Sequence, residues 1–345
     1  MDSISKINTQ SNFNQLLNWF LSPKSMYVEK EEPWNIEILA KNICHSYINL
    51  PVLNSNLSEV LIKVPELSIS DYPQEDKLFL KPIDSLKSLA KGEINEFVFD
   101  FLIHGSYATL DYSKGWSDLD TYVIINSDTL NNYKKLIKFR NKIIDSYKYL
   151  LAIDPHQHHG FIFCSEFSLN QYFSYLLPKE VLMECKSLIN FSEINLKYNR
   201  DTEHTKMFFK NKNNLLLNAY ESKILKHHAY EGEYLKEDYE NSNAMYQLKY
   251  FLSIVMTLPT YYLDAIGKSC YKRNSFDLVK DKFINEWEII DKASIIRDDW
   301  NNREKHPIKD NIIPNWVKET LGGNYFYRAH RLSNKMISSI NNNKN

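Results

Sequence analysis

Residues 96–126 constrain this chain more than any other stretch. They read EFVFDFLIHGSYATLDYSKGWSDLDTYVIIN. The order predicts a strand over 97–104, a tight turn at Gly105-Ser106, a short helix, a loop, and a second strand from Ser117 to Ile125. Side chains alternate faces along a strand, so Asp118 and Asp120 are expected on one side. Two carboxylates that close repel each other and do not both ionise in an apolar setting. A hard divalent cation between them removes the conflict, and Mg²⁺ takes oxygen ligands. Gly105 allows close backbone approach. Ser106 and the amides after it stand where a helix start can hold phosphate.

Eleven residues separate Ser106 from Asp118. Gly-Ser, a spacer of that size and Asp-x-Asp at the next strand together resemble the signature of the DNA polymerase β-like nucleotidyltransferases, the superfamily that includes the aminoglycoside nucleotidyltransferases. The strict resemblance covers residues 96–126, and a looser one residues 83–177. It implies a metal pair at Asp118 and Asp120, a phosphate cradle at Gly105 and Ser106, and a third carboxylate on a neighbouring strand.

Composition sets the outer limits. A chain of 345 residues has room for one large or two ordinary domains with ample core. Lys and Arg number 42 against 43 Asp and Glu, a net charge of −1, so no global basic excess draws the chain to nucleic acid or an anionic membrane. Cys44, Cys164, Cys185 and Cys270 lack any C-x-x-C spacing and read as buried thiols of a reducing compartment rather than a disulfide frame or zinc site. The N-terminus lacks a basic-then-apolar signal pattern, and no apolar run approaches the roughly twenty residues of a membrane span. A cytoplasmic location is the expectation.

Residues 1–82 form a mostly helical extension. Apolar spacing predicts helices over 13–21 and 34–50, with Ile36, Leu39, Ile43, Tyr47 and Leu50 on one stripe. Residues 58–63 fit a short helix or a strand, 76–82 read as a strand ending at proline, and 83–91 as a short helix. After Asp-x-Asp, Ser127-Asp128 can cap a helix on which Leu130, Tyr133, Leu136, Ile137, Ile143, Ile144 and Tyr147 keep phase. Lys134, Lys135, Lys138, Arg140 and Lys142 read as its solvated face.

Residues 149–166, YLLAIDPHQHHGFIFCSE, read as a strand over 149–153, a break at Asp154-Pro155 and a returning strand over 160–165. No apolar-Asp-apolar run stands here. Asp154 is the first candidate for the third carboxylate and Glu166 the second. His156, His158 and His159 lie beside it. Their spacing alone does not make a zinc site, but a histidine near a metal can act as base or phosphate contact.

Beyond Leu169 the pattern turns helical: 169–177, 180–188, 204–231, 239–262 with a kink at Pro259, and 276–287, with 193–200 as short strand or coil. Lys206, Lys210, Lys212, His227 and His228 form a basic stripe that fits either a wet face or a triphosphate. The window 267–276, GKSCYKRNSF, resembles the second lobe of the aminoglycoside and related nucleotidyltransferases, where a basic residue reaches nucleotide phosphates. Lys272 is the residue that the resemblance selects.

The expected fold is α+β: a small mixed twisted sheet with helices over 83–177, preceded by the extension 1–82 and followed by a helical domain over 178–345. The expected chemistry is nucleotidyl transfer. Asp118, Asp120 and Asp154 would hold two Mg²⁺ ions, Gly105, Ser106 and Lys272 the NTP, and an acceptor hydroxyl would attack with release of pyrophosphate. A small hydroxylated acceptor fits the neutral charge best, then a protein hydroxyl, then an RNA end. The other class is a nucleotide-binding or scaffold module of the same fold without turnover.

Overall fold

The β2 strand Val98–Ile103 and the β3 strand Thr121–Ile125 pair antiparallel at the centre of a four-stranded sheet. The computed structural model describes residues 3–26, 34–52, 57–157, 159–173, 177–199, 202–222, 244–304 and 312–342. The fold is α+β, with small open sheets and a helical C-terminal region.

Earlier in the chain stand helices α1 (Ser3–Phe20) and α2 (Trp34–Ile48), strand β1 (Ser58–Val64) and helix α3 (Lys81–Leu89). After β2 come α4 (Gly105–Ala108), β3, α5 (Ser127–Leu130), α6 (Tyr133–Ile153), β4 (Ile162–Ser165) and α7 (Glu166–Leu169). Then follow β5 (Tyr172–Phe173), α8 (Lys179–Leu182), β6 (Lys186–Ser187) and β7 (Ser192–Asn199). The central sheet has the order β4-β3-β2-β6, with β4 parallel to β3. A second sheet has the order β1-β7-β5, with β1 and β7 antiparallel. Thus a strand from the first 82 residues pairs with one beyond residue 178.

Alternation on β2 and β3 divides the core. Phe101, Ile103, Val123 and Ile125 face a helical layer that includes Phe13, Leu17, Ile43, Ile83, Leu136 and Ile143. Leu102, Tyr122 and Ile124 face the second sheet through Ile62, Val64, Ile194 and Leu196. Both faces are covered, which is why β3 is buried throughout. Asn18 of α1 brackets the edge strand β4, donating to the Phe163 carbonyl at 2.9 Å and accepting from its N–H at 2.9 Å. An edge so occupied offers less template for pairing with another chain.

Several local expectations give way to longer-range packing. The stretch 149–153 is the last turn of α6, not a strand, because Leu136, Phe139, Ile143, Tyr147, Leu150 and Ile153 stay in helical phase to its end. A five-residue apolar run cannot distinguish the two by itself. α6 is capped by Asn132, whose side chain accepts from the N–H groups of Lys134 and Lys135, while Ser127-Asp128 open the separate short α5 under Asn126. Arg140 is buried, not solvated, and donates from Nε to the Phe20 carbonyl at 3.1 Å. Residues 76–82 are no strand: Asp76 ends a 3₁₀ turn from Gln74, a turn follows, and Lys81 opens α3, whose early Pro82 lacks an N–H that the first turn does not need. Of the helix expected over 169–177 only Leu169 is helical, as the end of α7, with β5 after it and 174–176 outside the described residues, and that expected over 180–188 is confined to α8, with β6 after it.

The C-terminal region is built from α9 (Thr202–Ser222), α10 (Ala244–Ala265), α11 (Lys272–Val279), α12 (Glu288–Glu304), α13 (Asn315–Leu321) and α14 (Tyr325–Asn342). Residues 280–286, expected to continue one helix, are 3₁₀ with a break at Phe283. Pro259 lies inside α10. The outer ends of the helices expected over 204–231 and 239–262 lie outside the described residues. These helices share one apolar core, into which the sheet region inserts Trp116, 5.2 Å from the Trp300 ring. Among the described residues no helix is long and apolar enough to cross a membrane. All four cysteines are free thiols, three of them buried.

Candidate functional site

The turn after β2 and the loop before β3 meet. Gly105 has φ +66°, and a Cβ built on it would lie 2.1 Å from Asp120 Oδ2. Both facts demand glycine: a left-handed backbone angle strains a branched residue, and the carboxylate fills the space a side chain would take. The His104 N–H donates to the Asp120 carbonyl at 3.0 Å, which holds the two segments together. Asp118 and Asp120 precede the strand instead of lying on it, since β3 begins at Thr121.

The other end of that loop is held by the helical region. Trp116 is buried against Trp300. Ser113 Oγ donates to the Arg297 carbonyl at 2.5 Å, and the Arg297 guanidinium returns a hydrogen bond to the Asp111 carbonyl. α12 therefore clamps the loop that presents the two carboxylates.

Between the carboxylates stands His159. Its Nε2 is 2.8 Å from Asp120 Oδ1 and 3.4 Å from Asp118 Oδ2. Burial alone would push its pKa down. The hydrogen bonds to Asp118 and Asp120, and their charges, outweigh that and hold it well above the ordinary value. A protonated imidazole here offsets one of the two negative charges, in the position expected for a cation. One ligand atom from each of the three residues lies within 4.8 Å of the others, the only such group among the described residues. Two carboxylates and an imidazole form a donor set that fits a divalent cation.

Behind this group lie two buried side chains. Gln157, 1 % exposed, has its Nε2 3.3 Å from His159 Nδ1 and 3.4 Å from the Leu119 carbonyl. His104 is 7 % exposed, and its Nε2 has no hydrogen-bond partner among the described residues. Burial pushes the His104 pKa down, the charges of Asp120 and Asp118 oppose that, and His159 adds to it.

Lys272, at the start of α11, faces the same place from the helical region. Burial and then Arg297 lower its pKa, while Asp120, Asp118 and Asp111 act to raise it. It lines an open cleft of about 510 Å³ with Asp111, Tyr112, Arg273 and Arg297.

The two candidates for the third carboxylate are occupied elsewhere. Asp154 caps the C-terminus of α6, is 2 % exposed, and forms an ion pair with Lys249 of α10. Its other oxygen accepts from the His156 N–H at 3.0 Å. Burial raises its pKa, Lys249 opposes the rise, and the charge of Asp118 adds to it. Glu166 accepts from the N–H and hydroxyl of Ser127 at 3.1 and 3.0 Å. Ser165 pairs with Ile125, so Glu166 lies a full strand away from Asp120, about 17 Å or more at ~3.3 Å per residue. Of the three histidines, His159 joins the pair, His156 is buried beside Tyr246, and His158 lies outside the described residues. Of the basic stripe, Lys206 pairs with Glu203 at 2.6 Å and Lys212 lies 3.2 Å from the Tyr250 hydroxyl. His227 and His228 lie outside the described residues.

Sequence reasoning did not single out His104, Trp116, Gln157, Lys249 or Arg297. Two carried a usable signal. Trp116 is a large aromatic in a polar loop directly before Ser117-Asp118, and His104 directly precedes the essential glycine. The other three depend on packing between distant segments. No protein family, curated sequence or solved structure matches the chain.

Proposed function

We propose that the protein is a metal-dependent nucleotidyltransferase that moves a nucleoside monophosphate from an NTP to an acceptor hydroxyl and releases pyrophosphate. One observation carries the reading: the Asp120 carboxylate packs on the α-carbon of Gly105 while Lys272 faces the same point from the helical region. The motif resemblance of residues 96–126 to the DNA polymerase β-like superfamily supports it. A divalent cation held by Asp118 and Asp120 would polarise the phosphoryl oxygens and stabilise the leaving pyrophosphate. The turn at Gly105 and Ser106, with the amides that follow it, would hold the phosphates, and Lys272 and Arg297 would supply positive charge along the cleft. A small hydroxylated acceptor remains the first choice, since the chain carries no basic excess.

A second reading has its own support. Lys249 holds Asp154, so among the described residues no third free carboxylate joins Asp118 and Asp120 as a two-ion transferase would require. That favours a nucleotide-binding module without turnover. Incubation with each α-labelled NTP, Mg²⁺ or Mn²⁺ and cell extract separates the two. A labelled product that disappears in Asp118→Asn and Asp120→Asn supports transfer. Nucleotide-dependent thermal stabilisation without product supports the binding module. Neither product nor stabilisation with any nucleotide refutes both.

A further inference from the structure

We propose that Asp118, Asp120 and His159 form a site for a single divalent cation of the first transition row, with His159 Nε2 as a direct ligand, and that Mg²⁺ binds there more weakly. The inference rests on the preceding section only in treating the Asp118–Asp120 pair as metal ligands. Its test uses no nucleotide.

Geometry comes first. An octahedral ion with ligands at about 2.1 Å sets neighbouring donors about 3.0 Å apart. His159 Nε2 is 2.8 Å from Asp120 Oδ1 and 3.4 Å from Asp118 Oδ2. The donors therefore already stand at the spacing of adjacent ligand positions. On ligation the bridging proton leaves to solvent and the ion takes over its role.

Donor chemistry decides the class of ion. Mg²⁺ prefers oxygen ligands and near-ideal octahedral geometry, whereas an imidazole suits first-row transition ions. A second imidazole faces the group without joining it. His104 is 7 % exposed, its Nε2 lacks a partner among the described residues, and the charges of Asp120, His159 and Asp118 all act on it. A buried nitrogen left in that state calls for a partner, and a water on the bound ion can donate to it. Gln157, packed against His159 Nδ1, restrains the ring from behind. Such outer contacts orient a ligating histidine.

Stoichiometry follows from the neighbours. Three donor atoms within 4.8 Å of one another surround one ion. The next carboxylate, Asp154, is in its ion pair with Lys249.

The experiment is Mn²⁺ binding to the full chain, followed by the loss of the free-ion paramagnetic resonance signal, with Mg²⁺ as competitor. One Mn²⁺ per chain is expected, with Mg²⁺ competing only at about tenfold or greater excess over its Mn²⁺-equivalent concentration. Pulsed spectroscopy of bound Mn²⁺ in the unaltered protein should show nitrogen coupling from a coordinated imidazole. His159→Gln should weaken Mn²⁺ by about tenfold or more while changing Mg²⁺ binding much less. Absence of nitrogen coupling, two Mn²⁺ per chain, or equal affinity for both ions would overturn the proposal. Because the nitrogen signal is read without substitution, a His159→Gln chain that does not fold leaves the test intact. Transfer activity is measured separately, so loss of the metal inference and loss of the transferase reading give different results.

Discussion

The Asp154–Lys249 pair offers a sharp test of how the two halves of the molecule are joined. Asp154 ends α6 of the sheet region, Lys249 sits on α10, and both side chains are almost fully buried, at 2 % and 6 % exposure. Removing one partner leaves the other buried without its counter-charge. Such changes cost about 3–5 kcal/mol, whereas replacing both partners by groups of similar size is often neutral. We therefore expect Asp154→Asn and Lys249→Met each to destabilise by about 3–5 kcal/mol. The double variant should recover most of that, and two costs of about 3–5 kcal/mol against a nearly neutral double give a coupling energy of about 5 kcal/mol or more, above the ~3 kcal/mol that most contacting residues reach.

Denaturant melts of the wild type, both single variants and the double variant supply the four corners of the cycle. Additive single costs would refute the argument, because they would mean that each side chain finds separate compensation. A stable Asp154→Asn chain with lost metal binding would also refute it and return Asp154 to the role of ligand that the sequence suggested. The cycle thus separates a strut between the two regions from a third metal carboxylate with no substrate in hand.

Gly105→Ala should lose about 1–2 kcal/mol from the left-handed backbone angle alone, and more because its Cβ displaces the Asp120 carboxylate; thermal melting and Mn²⁺ titration of the variant should both report the change. Retention of wild-type melting and metal affinity would sink this account of the turn. Lys212, whose pKa burial pushes down to about 8, gives a pH dependence. The folded chain binds fewer protons there than the unfolded chain, so stability rises between about pH 8 and the unfolded lysine value near 10.5. Lys212→Met should flatten that rise by about 1–3 kcal/mol in pH-dependent melts, and an unchanged slope would contradict it.

The parts of the site that could be read from sequence are those encoded within a few residues. Gly105-Ser106 at the end of one apolar run, and Asp118-x-Asp120 at the start of another, announce a strand–turn and a loop–strand that can meet. They do meet, with Asp120 on the α-carbon of Gly105. The third member was not legible. His159 is one of three close histidines, and what selects it is that β4 runs parallel to β3 and returns the chain to the end where Asp120 stands. The misreading of 149–153 as a strand hid this. It implied a hairpin, which would have set Asp154 rather than His159 beside the pair. Parallel pairing needs a crossover, and α6 is the crossover.

The helical region has a further consequence for the site. The loop carrying Asp118 and Asp120 is held both by its own hydrogen bonds between Ser113 and Ser117 and by the helical region. It is fixed at Trp116 by the ring of Trp300, and at Asp111 and Ser113 by Arg297. Both anchors belong to α12, and Lys272 on α11 lies close enough for its charge to act on both carboxylates. A shift of α12 relative to the sheet would therefore move the carboxylate loop directly, while Gly105 stays with β2. The fit between the Gly105 α-carbon and the Asp120 carboxylate has no slack for that motion. The spacing of the metal donors thus depends on how firmly the two regions are held together, and the buried Asp154–Lys249 pair is one of the contacts that holds them.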